Sequence, residues 1–348
     1  MQDTALTSAR PHIKIAGSVN DDLAQALLSL TVHLPLSGMG HAELQISNWV
    51  PSGDEALPTY GFNDLALGAS VEVLIGQDQP QTLFKGEITA LEERYGEGAP
   101  QLLLLAQDKL HRLARKRQSR VFEEQSLDDV IHAVASSAGL SADVSLSTTV
   151  ATYHQLNESD LAFLLRLSGA LDVAVRIEGD QLRVRPEAED TEPLALSAHD
   201  SALKVRLIAD LNHQPLAVDV KGYNLDSDEA VAENSASLRL GASGTKAADI
   251  LRDLGWAGDE IVAQPFARSQ GEAADFAKAH FNRAAKRFVS GDIRAQGEAG
   301  LFSGREIELT GVSPRFAGRY QVVNCIHRFD VTNGFETQLK VNRADWQS

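Results

Sequence analysis

Between His12 and about Asp108, apolar and polar residues alternate in short runs: "HIKIAG", "LSLTVHL", "AELQISNW", "SVEVLIG", "TLFKGEITAL" and "LLLLAQD". A period of two puts alternate side chains on one face of a strand, and the Gly, Pro, Asn and Asp between the runs supply turns. The region predicts an all-β unit, barrel or sandwich. From Ser126 the period changes. "SLDDVIHAVASSAG" sets Val130, Ile131 and Val134 on one helical face, with Ser126 as N-cap, Asp129 three residues on, and Gly139 as the stop. "NESDLAFLLRLSGALDVAVRIEGDQLRVRP" follows the same grammar. Asn157 reads as the cap, Asp160 as the third helical position, and Phe163, Leu164, Leu167 and Leu171 as the stripe. "VAVRI" and "LRVRP" then alternate around Gly179-Asp180, which suits a tight hairpin turn. After the acidic run "PEAEDTEP", strands return in "LKVRLIADLN" and "LAVDVKGYN". A short helix, "KAADILRDLGW", ends at Gly255, and a longer one, "SQGEAADFAKAHFNRAAKRF", is capped by Ser269 and Glu272. The chain closes in strands: "GREIELTGV", "GRYQVVNCIHRFDV" and "FETQLKVNR".

Two distant segments match position for position. Gly68 is followed by Val71, Glu72 and Val73, and Gly304 by Ile307, Glu308 and Leu309 at the same offsets. Each leads to a second element, Phe84-Lys85-Gly86 with Ile88 in one and Phe316-Ala317-Gly318 with Tyr320 in the other. One β unit occurring twice, with helical material inserted between and within the copies, explains the match.

Composition narrows the function. The 348 residues carry a formal charge of −16, so most of the surface repels free nucleic acid, and sequence-specific nucleic-acid binding is not expected. Against that background the cations Lys109, Arg112, Arg115, Lys116, Arg117 and Arg120 stand out. They are either a solvated face or a contact strip for an acidic partner or a neighbouring copy. Cys325 is the one cysteine, which allows no intrachain disulfide, and its apolar surroundings predict a buried thiol. The first residues contain no apolar signal core and no run is long enough to span a bilayer, so neither export by a cleaved signal nor membrane insertion is expected. "NLDSDEAVAENS" from Asn224 imitates a calcium loop but has Glu229 and Ser235 where Gly and Glu are needed. "GASGTKA" from Gly241 lacks the phosphate-loop spacing. No catalytic, cofactor-binding or metal-ligating set is expected. Two other readings remain: a particle-associated cell-wall hydrolase, with pairs such as Glu92-Glu93 as its carboxylates, and a sugar-binding β module, which 6% aromatics disfavour.

The helix–hairpin "NESDLAFLLRLSGALDVAVRIEGDQLRV", with Asn157, Glu158, Ser159, Asp160 and Leu161 at its head, resembles that of phage tail hub proteins. These are the late-control D family, the T-even baseplate hub and the N-terminal part of VgrG spikes. Gly318, Tyr320, Val322, His327, Gly334 and Thr337 match the closing G-Y-x-V-x-x-x-x-H-x-x-x-x-x-G-x-x-T motif of that group, and Gly86 belongs to the repeated element. The resemblance implies a β-dominated α+β chain of three parts. They are a first β-barrel tube domain at 1–118, a small α+β domain at 119–190, and a second β-barrel tube domain at 191–348 with a helical insertion at about 236–297. It further implies a homotrimer with a pseudo-six-fold ring that joins a hexameric tail tube to a trimeric spike. Its partners would be itself, the tube or tube-initiator protein, the spike and other baseplate proteins. It would assemble in the bacterial cytoplasm and end in a virion or extracellular particle. No OB-fold or needle follows the hub before Ser348, so the spike is expected to be a separate protein.

Overall fold

The structure, a computed structural model, describes residues 10–50, 59–76, 80–96, 98–146, 148–186, 192–238 and 243–347. The acidic residues 187–191 and the start of the phosphate-loop imitation at Gly241 lie outside them.

The alternating runs of the first hundred residues form six principal strands: β1 (His12–Ile15), β2 (Leu27–Pro35), β3 (His41–Ser47), β4 (Ser70–Ile75), β5 (Gln81–Arg94) and β6 (Gln101–Gln107). A short helix, α1 (Asp21–Ala26), precedes β2, with Asn20 accepting from Leu23 N. Six more strands follow later in the chain: β7 (Leu194–Ser197), β8 (Ala202–Ala209), β9 (Val289–Gln296), β10 (Glu306–Thr310), β11 (Gly318–Asp330) and β12 (Gly334–Arg343).

The first set is ordered β1-β4-β5-β6-β3-β2 and the second β7-β10-β11-β12-β9-β8. Adding six to each label converts one into the other, so the repeat legible at Gly68 and Gly304 extends to a whole unit. The pairs agree in being antiparallel, except that β7 runs parallel to β10 whereas β1 runs antiparallel to β4. One face of each unit is apolar. Leu102, Leu104 and Ala106 of β6 pack on Ala42, Leu44 and Ile46 of β3, and Leu339 and Val341 fill the corresponding place in the second unit. Each buried Leu contributes about 2 kcal/mol.

The two units are not separate barrels. Strand β2 pairs with Asn324–Asp330 of β11, making a single 13-stranded sheet that is open at β8 and at Ser18–Val19. Phe329 and Phe335 of the second unit lie in the first unit's core. No closed barrel is found among the described residues.

Between β6 and β7 lies an α+β part. Its helices are α2 (His111–Ala114), α3 (Leu127–Ser137) and α4 (Asp160–Ala170). It also has a ribbon of Arg117–Gln125 with Ala151–Ser159, and a sheet in which Gln181–Arg185 is flanked by Ser141–Val144 and Ala174–Glu178. Ser126 caps α3 as expected. The cap of α4 is Ser159, which accepts from Ala162 N; Asn157 is two residues before the cap, at φ 49°. A left-handed residue there lets the chain break the ribbon and turn into the helix.

Where the first unit joins β2 to β3 by a few residues, the second inserts residues 210–288 between β8 and β9. The insertion is more than helical. Helices α5 (Ala247–Leu254) and α6 (Gln270–Ala285) accompany a sheet of Ala217–Asn224, Glu229–Ser235 and Asp259–Ala267. Val218 and Val220 of that sheet meet Ala273, Ala277 and Phe281 of α6. The last residues assigned to the insertion from the sequence, Val289–Gln296, are β9 of the main sheet.

Candidate interaction surface

The basic cluster is largely consumed within the chain. Lys109 lies 2.9 Å from Asp180, which also meets Lys85 at 3.6 Å, so this pair ties the end of β6 to the turn of the α+β hairpin. Arg112 and His111 share the Glu87 carboxylate of β5, and the Arg112 guanidinium holds that carboxyl below its usual range. Arg117 donates to the Asn157 carbonyl at 2.9 Å. Arg120 donates to Gln155 and to Asp160, each at 2.7 Å, and its guanidinium lies 4.9 Å from the centre of the Phe122 ring. Only Arg115 and Lys116 of the six are exposed without a partner among the described residues. The candidate strip thus shrinks to two adjacent cations.

The "ESDL" residues knot the ribbon to α4. One Asp160 oxygen accepts from Gln118 at 2.8 Å, Arg120 at 2.7 Å and Gln155 at 2.9 Å. Gln155 is fully buried and also donates to the Glu158 carbonyl. Glu158 pairs with Arg166 in the second turn of the helix, and Leu161 enters the core of the α+β part. A buried carboxylate is stable only when such donors surround it.

The closing motif is a hairpin with a polar rivet. His327 and Thr337 face each other across β11 and β12, with Nδ1 and Oγ1 3.0 Å apart, while Nε2 lies 3.0 Å from the Leu301 carbonyl. His327 is wholly buried, and burial lowers its pKa to about 4. Cys325 lies beside it, and burial drives its thiol pKa far up, so neither is poised for nucleophilic chemistry. Gly334 takes φ 74° at the turn, where the Asp330 carboxylate accepts from the backbone of Thr332 and Asn333. Tyr320 donates to the Phe316 carbonyl at 2.7 Å with Arg343 stacked on its ring.

The repeated glycines sit on the same strand of each unit. Gly86 faces Val71 and Gly318 faces Leu309, so the two hairpins differ by two residues in register. A two-residue slip keeps inward side chains inward. A Cβ at Gly86 would lie 2.6 Å from the Phe84 ring and closer still to the Gln107 carbonyl.

Features that the sequence did not single out include an exposed aromatic group and two clefts. Trp49 pairs with Tyr60, whose ring meets Tyr95 edge-on at 6.4 Å, and all three are exposed. A cleft of about 290 Å³ lies where both sheet units and the α+β part meet, lined by Pro35, Asp108, Arg176, Phe302 and His327. Another of about 290 Å³ separates α4 from α6, with Tyr153, Leu167 and Phe276 inside and Arg166 and Arg268 at its rim. The calcium-loop imitation is a hairpin turn in which Asn224 Oδ1 accepts from Asp226 N. Among the described residues no group of His, Cys, Asp and Glu could hold a metal ion, and no helix is long and apolar enough to cross a membrane.

The family model described as the Alg8 N-terminal domain matches residues 6–330. No curated protein matches the chain in sequence. Among solved structures, the 43 kDa tail protein of prophage MuSo2 from Shewanella oneidensis superposes with a TM-score of 0.74 at 13% identity, over 97% of this chain and 99% of that one. The tail protein from Neisseria meningitidis MC58 gives 0.68 at 12% identity, over 97% of each chain. The E. coli c3393 protein, described as a type VI secretion component similar to T4 tail proteins gp27 and gp5, gives 0.62 at 11% identity, over 95% of this chain and 76% of that one. At these identities the shared property is the fold.

Proposed function

The chain belongs to the Alg8 N-terminal domain family, and with the tail-protein fold as the second premise we propose that it is the structural baseplate hub of a contractile phage tail or phage-tail-like injection particle. In this reading it is a homotrimer. Each copy contributes two tube-type β modules and thus builds a pseudo-six-fold ring between the hexameric tube and a trimeric spike. The domain division 1–118, 119–190 and 191–348 belongs to the same proposal, as do cytoplasmic assembly, incorporation into the particle, and contacts with the tube or tube-initiator protein and other baseplate proteins. Arg115 and Lys116 serve as a contact for one of these.

The observation that carries the reading is the doubled unit: one strand order, used twice, in one chain. A chain with two equivalent modules can present six of them from three copies, which is what a joint between six-fold and three-fold parts requires. The motif residues support a structural role, because Asp160, His327, Thr337 and Tyr320 are all engaged in holding elements together.

Electron cryomicroscopy of purified particles carrying a tagged copy tests this. Three copies are expected at the joint of tube and spike, and any other copy number or position overturns it. Incubation with peptidoglycan addresses the hydrolase reading: a structural hub releases no soluble fragments.

A further inference from the structure

The internal joint between the two units shows what the chain leaves unfilled. On one side β11 is paired by β12 from Gln321 to Asp330. On its other side it meets β10 at Gly318–Gln321 and then β2 at Asn324–Asp330. Its counterpart β5 is paired by β6 on one side and by β4 at Gln81–Glu87 on the other. Ile88 then bonds the backbone of Gly68 and Ala69. From residue 89 to 94 no strand takes that side among the described residues, and Ala90, Glu92, Glu93 and Arg94 are exposed. In parallel, β2 is paired on both sides, whereas among the described residues its counterpart β8 is paired by β9 alone. Among the described residues the chain therefore contains one completed joint of β2 with β11, and the two halves of a second such joint, β8 and the end of β5, both open.

We infer that β8 of one copy pairs with the free end of β5 in a second copy, repeating between chains the joint that β2 and β11 make within one. The inference rests on the oligomeric reading above for its partner and adds the surfaces. Val205 and Leu207 of β8 pack inward. Leu203 and Ile208 remain 49% and 47% exposed on an eight-residue strand whose second edge takes no partner among the described residues. Uncovered apolar edges of this length invite association. Lys204 has no partner among the described residues, and Arg206 approaches only Asp292, at 3.7 Å. On β5, Glu92 meets Arg94 in a pair exposed on both sides, which stabilises little and leaves the carboxylate open to a stronger neighbour.

Charge selects which ends meet. Residues 12–108 hold thirteen Asp and Glu against three Lys and Arg. Residues 194–209 together with 289–347 hold eight against nine. The strands of the second unit are thus near neutral while the first unit is strongly acidic, so first units repel each other far more than a second unit repels a first, and the local cations Lys204 and Arg206 favour the acidic end of β5. Contacts between copies then alternate head to tail, the heterologous arrangement that closes into a ring or runs on as a filament.

Four double variants test the joint: Lys204→Cys or Arg206→Cys, each combined with Ala90→Cys or Glu92→Cys, to cover neighbouring registers. Cys325 is buried and stays silent under mild oxidation. At least one variant should form disulfide-linked oligomers, and the single variants none. Lys204→Glu with Arg206→Glu should weaken self-association at least tenfold at low salt, and Glu92→Lys added to it should recover part. A chain that stays monomeric at every attainable concentration, with Lys204 merely guarding an edge, overturns the inference, as do links only at other positions. Native mass separates the two readings. A trimer without these links removes this joint and keeps the trimer, while linked dimers or open chains keep the joint and remove the trimer.

Discussion

Replacing Asp160 by Ala removes one carboxylate oxygen from three donors at once: Gln118, Arg120 and Gln155. The donors do not lose equally. Gln155 is fully buried but keeps the Glu158 carbonyl through the same amide nitrogen. Arg120 keeps Gln155 Oε1 and the Phe122 face, and 28% of its side chain reaches solvent, so water can replace part of the loss. Breaking a fully buried ion pair costs about 3–5 kcal/mol, and leaving a buried donor unsatisfied about 1–3 kcal/mol. With these remaining partners the expected cost is about 2–3 kcal/mol, confined to the ribbon and α4. Asp160→Asn retains an acceptor and should cost about 1 kcal/mol. The chain has several cores, so one unfolding transition would blur a local effect. Hydrogen exchange read by peptide resolves it, because local opening energies are reported segment by segment. Residues 117–125 and 151–170 should lose protection by about one to two decades in Asp160→Ala, with β3 and β6 unchanged. Unaltered exchange in those peptides, or Asp160→Asn as damaging as Asp160→Ala, would refute the account of the motif as a knot.

Other expectations follow from the same contacts. Gly86→Ala forces a Cβ against Phe84 and the Gln107 carbonyl, and should lower the thermal midpoint by several degrees through about 2 kcal/mol of overpacking; an unchanged midpoint contradicts that geometry. Burial holds the His327 pKa at about 4, below its unfolded value near 6.5, so this group's contribution is complete above pH 6.5 and lost as pH falls toward 4. The loss is up to about 3 kcal/mol, and urea midpoints of the wild type should therefore drop more steeply across that window than those of His327→Gln; parallel profiles exclude it. Reversing Arg115 and Lys116 to Glu should leave the fold intact by circular dichroism and weaken incorporation into particles, most at low salt; equal incorporation at every ionic strength removes the contact role. The same reversal at Arg112 should also disturb packing, since Glu87 would lose its partner.

Local patterns were legible wherever a strand or helix owed its identity to its own residues. The alternation in "LLLLAQD" became β6 with Leu102, Leu104 and Ala106 inside, and Ser126 and Ser269 cap as read. The Gly68 and Gly304 match pointed to a duplicated unit because both glycines take a positive φ, 86° and 95°, at the turn into the same strand of each unit. What failed was long-range. Nothing in "LSLTVHL" says that its second partner is a strand some 290 residues away, so the continuous sheet was invisible. The cap at Asn157 was misplaced because Asn, Ser and Asp all accept from a helix start, and only the left-handed turn at Asn157 decides among them. The insertion sheet was partly hidden because its edge strand, Asp259–Ala267, exposes Ile261 and Phe266 and lacks a clean alternation. The basic cluster looked free because its partners, Glu87, Gln155, Asp160 and Asp180, are brought to it by the fold.

The ladder between β2 and β11 has a mechanical meaning. Its seven residue pairs, Ser29–Asp330 through Pro35–Asn324, lie in the middle of the sheet, and Phe329 and Phe335 lock it from the core side. Rotating one unit against the other would have to shear this ladder and pull both rings out of the core together. The pair is therefore joined as one plate, in which a push on the end near β8 is carried through the ladder toward the end near Ser18. The α+β part hangs from that plate by fewer threads, among them the backbone bond from Gly38 to Val175, the Ser37 hydroxyl and the Lys109–Asp180 pair. Under load it is this attachment that yields first, and the part beyond it can tilt while the plate keeps its shape.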